Sequence, residues 1–194
     1  MLKKSRKVLS YGIFFNMYQI TQATSGIFCT LGQIINKYLN IMNVLFVDLG
    51  NVCRSPLAEI ILKKKFEEND IKGEVDSAGF ESFNINEPPD KRVVEIASKY
   101  GFLPEGKARI FLKEDFEKFD KIFVMDTKNY RDVMALAKSE DAKAKVDYLL
   151  NVLDDGRNKT VPDPYNSGIE DCEAVFKLLD KATDKIVALA KSPD

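Results

Sequence analysis

The chain has 194 residues, 45% of them hydrophobic and 30% charged, with 29 basic side chains against 30 acidic ones. This composition gives one domain a full core and leaves no basic surplus for nucleic acid. Three cysteines form no disulfide framework, and the lack of histidine removes Ser-His-Asp and Cys-His catalysis, histidine phosphotransfer and most zinc sites.

Residues 1–41 contain Lys3, Lys4, Arg6, Lys7 and Lys37 and no acidic residue, which leaves 24 basic and 30 acidic side chains in the remainder. The basic start, the apolar residues 8–20 and Ala23-Thr24-Ser25 have the outline of a secretory signal. Ser10, Asn16 and Gln19 interrupt that run, which is also short and polar for a membrane span. We read residues 1–41 as an N-terminal extension, disordered or outside the fold, and residues 42–194 as the domain.

Val44-Leu45-Phe46-Val47 is an apolar run that fits a strand buried on both faces. Ser55 is a good N-cap, Pro56 suits the first helical position, and Ala58, Ile61, Leu62 and Phe66 recur at helical spacing. Strand, loop and helix N-terminus in that order converge backbone N–H groups on an anion where the helix dipole is positive. Arg54 adds a planar fork that matches two phosphate oxygens. Leu49, Gly50, Asn51, Val52, Cys53, Arg54 and Ser55 therefore read as a phosphate cradle.

Further along, residues 73–76 form a short strand that ends in Ser77-Ala78-Gly79. Pro88-Pro89-Asp90 caps a helix with Val93, Ile96, Ala97 and Tyr100 on one face, stopped by Gly101. Residues 121–125 are a third strand, and Thr127 caps a helix carrying Tyr130, Val133, Met134 and Ala137. Residues 146–150 supply a fourth strand. Cys172, Val175, Phe176, Leu179, Thr183, Ile186 and Ala190 mark a long closing helix. The alternation predicts an α/β fold on a four-stranded parallel sheet.

Gly50, Asn51, Cys53, Arg54, Ser55, Pro56, Ala58 and Glu59 resemble the signature of the low-molecular-weight protein tyrosine phosphatases: a cysteine, five residues, arginine, serine and then Pro-x-Ala-Glu. The resemblance runs from Val44 to Lys191 and takes in Glu87-Pro88-Pro89-Asp90, Lys113-Glu114-Asp115-Phe116, Met125-Asp126 and Asp163-Pro164-Tyr165. It implies a flavodoxin-like three-layer sandwich with the phosphate loop after the first strand. It also implies a cytoplasmic, monomeric hydrolase of phosphotyrosine proteins or small aryl phosphates, without metal, cofactor, membrane or nucleic-acid partner.

One position departs from the signature: the cysteine is replaced by Asp48. In the family the cysteine attacks phosphorus as a thiolate. A carboxylate in that nest is expected to be held ionised by the same donors. It is the poorer nucleophile and sets a negative charge where a dianion must bind, so catalysis is expected to be impaired. Cys53 cannot take over, since its own five-residue offset would need a basic residue where Glu59 stands. By resemblance, Arg54 is the catalytic arginine and Asp163, between two prolines that stiffen its loop, is the general acid and base. Asn51 is expected to take left-handed backbone and Ser77 to hydrogen-bond to it, with Ser55 donating to Asp48. Phe83 and Tyr165 are the expected aromatic rim.

Two other functions compete with an impaired phosphatase. The fold could serve as a non-catalytic binding or regulatory module. Alternatively, residues 47–52 resemble the first motif of the haloacid dehalogenase phosphatases, which use an aspartate nucleophile with Mg²⁺, and Asp154-Asp155 could pass for their late acidic pair. That scheme has Gly50 where it needs a second aspartate and no place for Cys53-Arg54-Ser55-Pro56.

Overall fold

The computed structural model describes residues 41–103 and 105–192. The reading of residues 1–41 as an extension therefore lies, save for Ile41, outside the described residues. Four strands, β1 (Val44–Val47), β2 (Val75–Ala78), β3 (Lys121–Val124) and β4 (Val146–Tyr148), form a parallel sheet in the order β2-β1-β3-β4. The helices are α1 (Arg54–Glu68), α2 (Lys91–Lys99), the single turn α3 (Asp115–Lys118), α4 (Thr127–Leu136), α5 (Glu140–Ala144) and α6 (Ile169–Lys191).

β1 has no exposed residue, and its side chains alternate between two cores. Val44 and Phe46 enter a cluster with Leu57, Ile61, Val93, Phe176 and Leu179, from α1, α2 and α6. Leu45 and Val47 enter a second cluster with Phe111, Phe119, Val133 and Tyr148, under α4 and the segment before β3. The result is the three-layer α/β sandwich expected. Burying a side chain such as Phe46 on this scale contributes about 1.5–3 kcal/mol, so the central strand is held from both faces.

Because β2 and β3 flank β1, the chain leaves β1 at the point where strand order reverses, which opens a crevice beyond its carboxyl end. Residues 48–53 occupy that crevice. Among the described residues no helix is long and apolar enough to cross a membrane.

Several boundaries differ from expectation. β2 begins two residues late, at Val75, while the β1–β2 pairing is extended backwards by an Ile41–Lys72 bridge. β4 stops at Tyr148, because Leu149–Val152 tighten into a 3-10 turn that packs against α6. Ser55 and Pro56 are not the cap and first residue of α1, since the helix already starts at Arg54. Likewise α4 is capped by Asp126, whose carboxylate accepts from the Asn129 amide, and not by Thr127.

Candidate active site

The cap missing from α1 explains its early start. Cys53 occupies the N-cap position but makes no side-chain cap bond. The carboxylate of Asp48 supplies it from across the loop, where Oδ2 accepts from the Ser55 amide at 3.0 Å and Oδ1 from the Asn51 amide at 2.5 Å. The Ser55 amide is one that a helix N-terminus leaves without an intrahelical acceptor, and the Asn51 amide is a loop donor turned the same way. Asp48 is thus bound within the nest that the loop and helix form, and it is 2% exposed.

The donors alone would lower the carboxyl's pKa, and burial reverses the sign of the shift. Burial pushes the Asp48 carboxyl above the ordinary aspartate range, and the Arg54 charge and the donors on Ser55 and Asn51 offset only part of that cost. The donors do not win, because the site is closed to water. Cys53 is still less able to ionise: burial, with the charges of Asp90, Asp48 and Asp163, pushes its thiol up to about 12. A thiol at that value is inert as a nucleophile near neutral pH.

The loop is built from both flanks. Leu49 O accepts from the amides of Phe80 and Glu81, and Val52 O accepts from the amide of Asp90. Asn51 sits at φ 55°, the left-handed region that asparagine tolerates better than most residues. Its side-chain amide nitrogen donates to Ser77 Oγ at 2.8 Å and Ser55 Oγ at 3.0 Å, and its oxygen accepts from the Arg109 amide. Ser77 in turn donates to Glu59, a buried carboxyl whose other oxygen meets Lys63. Gly79 is required by contact, since a Cβ there would lie 2.9 Å from both Asn51 N and Leu49 O. Gly50 is less confined, since the atom nearest its Cβ position, Asn84 Nδ2 at 2.7 Å, is the end of a side chain that can turn away.

Arg54 is buried to 3% exposure and is shared between two carboxylates. Nη1 donates to Asp126 Oδ2 at 2.9 Å and to Val161 O at 3.2 Å, and Nη2 pairs with Asp163 Oδ2 at 3.0 Å. Nε is buried and has no hydrogen-bond partner among the described residues. A buried guanidinium N–H without an acceptor costs free energy, and a tetrahedral oxyanion in the nest would supply one. The loop bearing Asp163 is anchored through Val161, whose amide donates to Met125 O at the end of β3.

The structure therefore brings Asp48, Asn51, Cys53, Arg54, Ser55, Ser77 and Asp163 into one connected group. Phe83 and Tyr165 lie outside it, both well exposed, on the segments that follow Phe80-Glu81 and Asp163. Asp126 was not singled out from sequence, although an aspartate two residues past a strand and just before a helix is a cap signal. Arg92 carries no such local signal. It forms a two-bond ion pair with Asp90 and reaches the carbonyls of Pro164, Tyr165 and Ser167. Nothing in local sequence points to that reach across more than 70 positions.

Comparison with known proteins agrees with this geometry. Residues 43–192 match the family model described as low molecular weight phosphotyrosine protein phosphatase. The chain is 36% identical over 140 residues to the low molecular weight phosphotyrosine protein phosphatase of Gallus gallus, covering 71% of this chain and 88% of that one. Among solved structures it is similar to a protein tyrosine phosphatase from Entamoeba histolytica, with a TM-score of 0.70 and 32% identity over 76% of this chain and 95% of that one. A drosophila arginine phosphatase gives a TM-score of 0.73 and 30% identity, with coverage of 79% and 100%.

Proposed function

Because the chain belongs to the low molecular weight phosphotyrosine protein phosphatase family, a family of phosphomonoester hydrolases, we propose that residues 48–55 with Arg54 and Asp163 are a phosphotyrosine or aryl phosphate hydrolase site that Asp48 disables. Catalysis on this scaffold needs a nucleophile at position 48 to attack phosphorus. The aryl oxygen leaves with a proton from Asp163, which then activates the water that releases phosphate. Arg54 and the loop amides hold the transferring phosphoryl oxygens. Phe83 and Tyr165 offer ring faces to the substrate's aryl group, and Asn51 and Ser77 keep the loop in shape.

One observation carries the reading: Asp48 accepts from the amides of Asn51 and Ser55, donors a phosphate would use. As a carboxylate it fills the nest and repels a dianion. As the neutral acid, which burial favours, it has no lone pair basic enough to attack. Either form blocks turnover, while the rest of the machinery stays assembled.

Hydrolysis of p-nitrophenyl phosphate in EDTA by the full chain and by its Asp48→Cys variant tests this. The variant is expected to exceed the unmodified chain by at least about 1,000-fold, the scale on which losing a nucleophile acts. Equal rates would overturn the reading. Turnover by the unmodified chain that appears only with added Mg²⁺ would instead assign Asp48 as an aspartyl nucleophile.

A further inference from the structure

We propose that Arg92 is a positioning residue that sets the Asp163 carboxyl by gripping the backbone that follows it, and that it ties this loop to the phosphate loop through Asp90. The inference rests on reading Asp163 as the acid and base.

Arg92 uses all five of its N–H donors. Nε and one Nη2 hydrogen go to the two oxygens of Asp90, at 2.9 and 2.8 Å. The other three go to main-chain carbonyls: Nη1 to Pro164 at 3.2 Å and Ser167 at 2.6 Å, and Nη2 to Tyr165 at 2.8 Å. Those three carbonyls belong to the turn that begins at Asp163, whose Oδ1 accepts from the Tyr165 amide at 3.0 Å. The grip therefore fixes both the backbone of Tyr165 and the carboxyl bonded to it.

Asp90 supplies the other half. Its amide donates to Val52 O at 2.8 Å in the phosphate loop, and its carboxylate caps α2 through the Arg92 amide. Phosphate loop, Asp90, Arg92 and the Asp163 turn are thus in unbroken hydrogen-bond series. A planar fork is needed for this work: a lysine has three donors on one atom and could not hold Asp90 and three divergent carbonyls together. Misplacing a reacting group by about 1 Å can cost on the order of 100-fold, so the grip has a kinetic consequence.

The experiment compares Arg92→Ala and Arg92→Lys in the full-length Asp48→Cys chain, on phenyl phosphate and p-nitrophenyl phosphate. Phenolate needs the proton from Asp163, whereas nitrophenolate leaves readily without it. Arg92→Ala is expected to lower kcat/KM for phenyl phosphate by about 10- to 100-fold, part of the range general acid catalysis supplies, and for the nitrophenyl ester by no more than about threefold. Equal losses on both esters would make Arg92 a merely structural residue and overturn the proposal. Amide exchange in the unmodified chain gives a second readout that needs no turnover. Arg92→Lys must speed exchange at Tyr165 and Ser167 while leaving β1 protected, and unchanged protection there overturns the proposal. If Asp48→Cys proves inactive, the functional reading fails separately and the exchange result alone decides on Arg92.

Discussion

Replacing Asp48 by alanine removes the internal acceptor of the phosphate loop, and the consequence can be worked from its two hydrogen bonds. The amides of Asn51 and Ser55 lose their partners, and each unsatisfied buried N–H costs about 1–3 kcal/mol. Relief of the buried carboxyl's own desolvation returns part of that, so a net loss of about 2 kcal/mol is expected. For a domain of this size it lowers Tm by about 4–8 °C. Inorganic phosphate should then restore the variant, because its oxygens can take both amides and the unpartnered Nε of Arg54. In the unmodified chain the anion must first displace Asp48 from two hydrogen bonds, worth about 1.5–3 kcal/mol each in the ionised form. Even the low end makes phosphate bind about 100-fold more tightly to Asp48→Ala than to the unmodified chain. Thermal melts and calorimetric titration with phosphate measure both quantities. A variant that melts with the unmodified chain, or that binds phosphate no better, would refute the idea that Asp48 occupies the anion site.

Three further outcomes follow from neighbouring residues. Gly79→Ala places a methyl group 2.9 Å from Asn51 N and Leu49 O; it should destabilise the fold by about 1–3 kcal/mol and abolish the phosphate rescue in an Asp48→Ala background, as urea midpoints and titration would show. Burial raises the Glu59 carboxyl from its ordinary 4.5, so the folded chain keeps a proton that the unfolded chain has lost. That contribution to stability is complete below about pH 4.5 and is lost as pH rises through the folded value. Relative to Glu59→Gln, the unmodified chain should lose stability in urea melts as pH increases above 4.5, and a difference that is flat with pH would contradict the assignment. Cys53, buried and with its thiol pushed up to about 12, should resist iodoacetamide at pH 8 in the folded chain and react in urea, with peptide mapping to report that site alone.

The fold was legible because its signals are local and periodic. Apolar runs mark the central strands β1 and β3, shorter mixed segments at helix-separated spacing mark β2 and β4, and stripes such as Cys172 to Ala190 mark the helices packed on them. The turn between β1 and α1 was legible too, since Asp48 to Ser55 is one continuous segment whose inward amides are set by the chain's own path. What could not be read depends on residues distant in sequence. The start of α1 was misplaced because its cap comes from Asp48, seven positions before the amide it accepts, whereas Ser55 carries the sequence signal of a cap. The upward push on the carboxyl is not legible, because donors are visible in sequence and desolvation is not: only the packing of β1, α1 and the Phe80 segment shows that water is excluded. Arg92 was invisible for the same reason, its five partners lying on two loops more than 70 positions apart.

The loop's donors need acceptors whether or not the site turns over substrate. A phosphate loop concentrates inward-facing N–H groups and a buried guanidinium, an arrangement that is costly without an anion. Here Arg54 is met by Asp126 and Asp163, and the amides of Asn51 and Ser55 by Asp48, so the chain supplies acceptors of its own to two loop amides and to both terminal nitrogens of the guanidinium. Alanine at position 48 would leave the two amides without their acceptor and make the loop depend on bound phosphate. On the proposed reading, aspartate supplies those two amides from within the chain and also closes the loop to substrate. The same two hydrogen bonds therefore account for the integrity of the site and for its predicted silence, and restoring cysteine should trade intrinsic loop stability for turnover.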